Sequence, residues 1–139
     1  MKSWGLSFFF LLVLVAATML ACGSSPRVLQ SVAVSPATAD AQSFSGGLVQ
    51  FTSLGYYTTP PSPVEPLAAT WGACYQGNLT TGVSVSASGV AHCAAGSVGT
   101  YTVWVSVPSN PDHGACPQIA NACGGGGCMV AGTAQLTCP

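Results

Sequence analysis

Thr100-Tyr101-Thr102-Val103-Trp104-Val105-Ser106-Val107 is the stretch that decides the fold. On an extended chain Tyr101, Val103, Val105 and Val107 fall on one face and Thr102, Trp104 and Ser106 on the other, the period of two that marks a half-buried strand. Working outward, Leu29 to Val34 alternates in the same way, with Val32 and Val34 sharing a face, and Pro36 ends it. Leu48 to Tyr57 reads as a strand with Val49 and Phe51 inward, and Leu67 to Tyr75 as another around Trp71. Val83 to Val85 and Val90 to Ala94 are brief strands, and Met129 to Cys138 is the last. Between them lie turn signals at Ser45-Gly46-Gly47, Gln76 to Gly82, Ser86-Ala87-Ser88-Gly89 and Ala95 to Gly99. Thr58 to Pro66 carries four prolines and reads as a loop, as does the long Pro-, Gly- and Asn-rich stretch 108–128. About seven short strands at this spacing predict an all-β antiparallel sandwich over residues 29–139.

Composition agrees and excludes several classes of function. The chain has 139 residues, and only Arg27, Asp40, Glu65 and Asp112 are charged after residue 21. Nucleic-acid binding needs clustered Lys and Arg to neutralise phosphates, so it is excluded. Electrostatic steering onto acidic polymers is excluded for the same reason. Ala, Val, Ser, Thr and Gly dominate, which favours strands and turns over helices. About 110 residues suit one core and not two.

The first 21 residues read as an export leader: Lys2, then an apolar run from Leu6 to Leu20 ending in Ala21-Cys22. That run is shorter than the roughly 20 apolar residues of a spanning helix, and no charged cluster follows it. Met19-Leu20-Ala21-Cys22 resembles the lipobox of bacterial lipoproteins, with the leucine one place later than usual. The resemblance implies cleavage before Cys22, acylation of Cys22 and attachment of the mature chain to a lipid bilayer. Several acyl chains anchor stably where one is marginal. Residues 22–28 would form a short tether. Gly23 in place of the aspartate that retains such proteins in the inner membrane leans towards the outer membrane, if the source is Gram-negative.

Six cysteines remain beyond Cys22: Cys74, Cys93, Cys116, Cys123, Cys128 and Cys138. An even number in a small exported domain predicts a disulfide framework, here of three bridges.

Further blocks carry a second resemblance. Leu29-Gln30-Ser31-Val32-Ala33-Val34-Ser35-Pro36-Ala37, Gln50-Phe51-Thr52 with Gly55-Tyr56, Ala69-Thr70-Trp71, Val85 to Ala91, and Ala94 to Val103 follow one another as in bacterial immunoglobulin-like group 2 domains. The chain is similar to that family over residues 28–107 and again over 129–138. The resemblance implies an immunoglobulin-like β-sandwich used in adhesins, surface proteins and spacers, with no catalytic residues. The six cysteines and the long loop after Val107 depart from the family pattern. In the family arrangement Cys74 and Cys93 lie near one end, which implies a Cys74–Cys93 bridge and leaves Cys116, Cys123, Cys128 and Cys138 to pair among themselves.

Candidate sites are few. His113 with the Cys116–Cys128 loop could hold a metal through thiolates, but those thiolates are expected to be oxidised, so no metal and no cofactor are expected. Asp112 beside His113 lacks the geometry of a hydrolase triad, and no Gly-x-Ser-x-Gly elbow is present. His92 points away from the core if Cys93 points inward, and Glu65 has no second carboxylate nearby. Trp71 reads as the core tryptophan, with sugar stacking as the alternative. Trp104, on the outward face, either packs under the long loop or joins Tyr56 or Tyr57 in binding a glycan or an envelope protein. The expectation is a lipid-anchored, non-catalytic domain, structural, adhesive or ligand-presenting. The alternatives are a metal- or redox-active loop and a carbohydrate-binding module.

Overall fold

The computed structural model describes residues 26–108, 123 and 128–139. The leader, Cys22, Cys116, Asp112 and His113 lie outside the described residues. Among the described residues ten strand segments alternate with turns: β1 (Leu29–Ser35), β2 (Thr38–Asp40), β3 (Leu48–Gln50), β4 (Thr52–Tyr57), β5 (Thr70–Tyr75), β6 (Asn78–Leu79), β7 (Val83–Val85), β8 (Val90–Cys93), β9 (Gly99–Pro108) and β10 (Met129–Cys138). One layer is the sheet β2-β10-β9-β5-β6. The other is built from β1-β4 and β3-β8-β7, joined because β3 runs into β4 through Phe51. All pairings are antiparallel except β2 with β10. This is an immunoglobulin-like strand order, with β1 on one layer and its continuation β2 switched to the other.

The core is what the alternation of β9 demands. Val103 and Val105 are fully buried, and they face Val49, Phe51 and Ala91 of the opposite layer and Leu136 of β10. Phe51 is the largest fully buried side chain among the described residues. A second, smaller cluster of Leu29, Leu67 and Val107 fills the end where the described chain begins.

Several boundaries differ from the sequence reading. The run Leu48 to Tyr57 is one path but two strands, because the Phe51 amide donates to the Gly89 carbonyl (2.9 Å) outside the regular ladder. Pro36 ends β1 as expected, yet the chain resumes as β2 by pairing Thr38–Asp40 with Gln135–Thr137. A short 3-10 turn follows, with the Asp40 carboxylate accepting from the Gln42 amide (2.9 Å). The third strand starts at Thr70 and not at Leu67.

The bridges correct the expected Cys74–Cys93 pair. Cys74 bonds Cys123, and Cys93 bonds Cys138, each with a Cα–Cα separation of 5.9 Å. Register gives the reason. Cys74 pairs with Thr102, on the outer side of its sheet, whereas Cys93 alternates with exposed His92 and shares the inward side with Ala91. Two cysteines facing opposite ways on different layers cannot meet. Cys93 instead reaches Cys138 at the end of β10, tying one layer to the other. Cys128 is disulfide-bonded as well.

Trp104 depends on one glycine. It lies opposite Gly72, and a methyl group added at Gly72 would run into its indole ring. Gly72→Ala should therefore lift the ring off the sheet. The expected outcome is a red shift of tryptophan emission together with a stability loss of about 1–3 kcal/mol in urea melts, the usual range for overpacking. Unchanged emission would mean that the sheet bends away instead.

Candidate functional site

Two open grooves flank the segment Pro66 to Ala69. The larger, about 470 Å³, opens between the start of β4, the segment Pro66 to Ala69 and the Ala87-Ser88 turn. Its walls are Trp71, Phe51, Pro66, Leu67 and the Ala87-Ser88 turn. Trp71 is half-buried and packs against the core while also lining this groove.

The polar side chains around this groove are already engaged. Gln50 Nε2 donates to the carbonyls of Phe51 (2.7 Å) and Ser88 (2.8 Å). Ser53, itself buried, donates through Oγ to the Leu67 carbonyl (3.0 Å). Ser86 and Ser88 hydroxyls bond each other at 2.9 Å. The groove thus offers an aromatic and aliphatic wall, with these polar groups bonded within the scaffold.

The second groove, about 430 Å³, sits over the smaller apolar cluster and is lined by Tyr57, Val64, Pro66, Leu67, Ala68, Val107 and Pro108. It is framed by the proline loop, which is folded back onto β4. Val64 and Gly55 exchange both backbone hydrogen bonds (2.9 and 3.0 Å), and the Tyr57 amide donates to Ser62 Oγ (2.9 Å). Arg27 closes the arrangement. Its guanidinium lies 3.7 Å over the Tyr57 ring, and it donates to the carbonyls of Pro61 (2.6 Å) and Thr59 (3.4 Å). Val28 and Thr58 are joined by two further bonds, Val28 N–H to Thr58 Oγ1 (3.0 Å) and Thr58 N–H to the Val28 carbonyl (2.9 Å).

The residues singled out from sequence are not gathered into one site. Trp104 and Tyr56 stand apart, Trp104 on the outer side of the five-stranded sheet and Tyr56 exposed on the outer side of β4. The joint Trp104–Tyr56 surface is therefore corrected. Trp104 is half-buried, and its Nε1 is buried with no hydrogen-bond partner among the described residues. The long loop that was expected to cover it lies largely outside them. His92 and Glu65 are exposed. Among the described residues no three His, Cys, Asp or Glu side chains group as metal ligands.

Sequence reasoning missed the proline-loop groove and the Arg27 clasp. A signal existed in Arg27 itself, the one basic residue after the leader, placed beside Pro26 in a chain with almost no charge. No protein-family model matches the chain, and no curated protein matches it.

Proposed function

We propose that this chain is a lipoprotein of the bacterial cell envelope, anchored in the bilayer through acylated Cys22. Its immunoglobulin-like sandwich, akin to group 2 domains, then serves a structural, adhesive or ligand-presenting role without catalysis. One observation carries the reading: Cys74, Cys93, Cys123, Cys128 and Cys138 are all disulfide-bonded. Disulfides persist in oxidising, exported compartments, where the leader would deliver the chain. The grooves support presentation over chemistry, since their walls are apolar and the polar groups around Trp71 serve the scaffold. Metal binding by the Cys116–Cys128 loop would call for thiolates, whereas Cys123 and Cys128 are both in disulfides.

Intact mass of the protein purified from its native membrane tests this directly. Residues 22–139 form a mature chain of 118 residues, the 139 of the sequence less 21 in the leader. The expected mass is that chain plus acyl groups, rising by about six protons on reduction as three bridges open. An unacylated chain with reduced thiols would overturn the proposal and move attention to metal binding.

A further inference from the structure

The most informative unassigned feature is the end of the sandwich that carries Pro26. Three observations coincide there. The smaller apolar cluster is open to solvent through the 430 Å³ groove. The proline loop that frames the groove is clasped to residues 26–28 by Arg27 and Thr58. And only four residue steps separate Pro26 from Cys22.

We propose that this end of the sandwich rests on the bilayer that holds the Cys22 acyl chains, with the groove between the proline loop and the end of β9 facing lipid. The inference rests on the lipid-anchor reading above. Four steps of extended chain span at most about 14 Å, at ~3.3–3.6 Å per residue, and a flexible chain of that length averages less. Polar headgroups occupy roughly 5–8 Å on each side of the hydrocarbon. A longer tether would let the domain float away; this one cannot.

Arg27 then converts a short tether into an orientation. Because its guanidinium is held by the Thr59 and Pro61 carbonyls and the Tyr57 ring, the first described residues cannot swing relative to the loop. The loop must arrive at the surface together with the anchor. What it presents is suited to a neutral contact. Pro60, Pro61, Pro63, Pro66 and Ala68 are exposed, Val64 is half-buried, and the two charges nearby, Arg27 and Glu65, offset each other. Apolar and proline surface would meet the interface, and salt would not alter the contact.

The test uses the full acylated protein in phosphatidylcholine vesicles whose lipid is brominated near the headgroup end of the acyl chains, which quenches nearby tryptophan. Val64→Trp places a reporter on the loop, and Ala68→Trp places a second in case the first disturbs the fold. Leu48→Trp is the control. Leu48 is exposed and lies nine residues before Tyr57 along the β3–β4 path, about 30 Å away at ~3.3 Å per residue. Trp71 and Trp104 give the same background in all three proteins.

The expected result is loss of emission and a blue shift for the Val64→Trp and Ala68→Trp proteins, and none for the Leu48→Trp protein. Equal quenching of all three in protein whose acyl mass is verified overturns the contact and leaves the anchor standing. A blue shift without quenching overturns it too, and means that a second protein copy covers the groove. Absence of acyl mass overturns the anchor and this inference with it.

Discussion

Replacing Cys93 and Cys138 together with alanine is expected to lower the unfolding free energy by about 4 kcal/mol. The bridge spans a sequence separation of 45 residues, and the conformational entropy that the unfolded chain regains when so long a loop is opened gives that figure. The location adds to it. Cys138 is buried, Cys93 packs against the main core, and the two join opposite layers where β8 and β10 end. Alanine leaves a small void there, which adds to the loss. Changing both residues avoids a lone thiol that could exchange with the other bridges. Urea denaturation without reductant reads the effect, and a loss below about 1 kcal/mol would mean that the bridge does not constrain the unfolded chain.

Gly89→Ala is expected to cost about 3 kcal/mol. Gly89 sits at φ +82°, in the left-handed region, and a methyl there would run into the carbonyl oxygen of Phe51. The two residues cannot part to relieve the overlap, because the Phe51 amide donates to the Gly89 carbonyl at 2.9 Å and the Phe51 ring fills the middle of the core. Gly96 supplies the control. It has nearly the same backbone, φ +79°, but open space where a methyl would go. Gly96→Ala therefore carries the backbone cost alone, about 1 kcal/mol. The remaining ~2 kcal/mol of Gly89→Ala is the steric term. Equal losses for the two variants in thermal or urea melts would show that the Phe51 carbonyl yields freely.

The elements written most clearly in the sequence are those whose two faces differ. Tyr101 to Val107 and Met129 to Cys138 alternate sharply, so β9 and β10 were legible to within a residue or two. Val49 and Phe51 were legible as inward for the same reason, and both are fully buried. Register was not legible, because it depends on which residue of one strand meets which of another. That Cys74 faces Thr102 and so turns outward is such a fact, and the disulfide pairing follows from it. The short β2 was hidden because Thr38-Ala39-Asp40 has no pattern of its own and is a strand only through β10. Arg27 stood out as the one basic residue after the leader, but its partners on the proline loop lie more than thirty positions away, so the clasp itself was not legible. Trp104 was legible as outward, but Gly72 as its floor came from register alone.

The two bridges that cross from the first part of the chain to the last have a consequence for integrity. Cys74–Cys123 and Cys93–Cys138 both connect residues before 108 to residues after 122. A single break of the peptide chain between those positions would leave the molecule covalently whole, with β10 still laced into the sheet at its far end. Either bridge alone would hold the two pieces together, so the fold is doubly insured against one cut there.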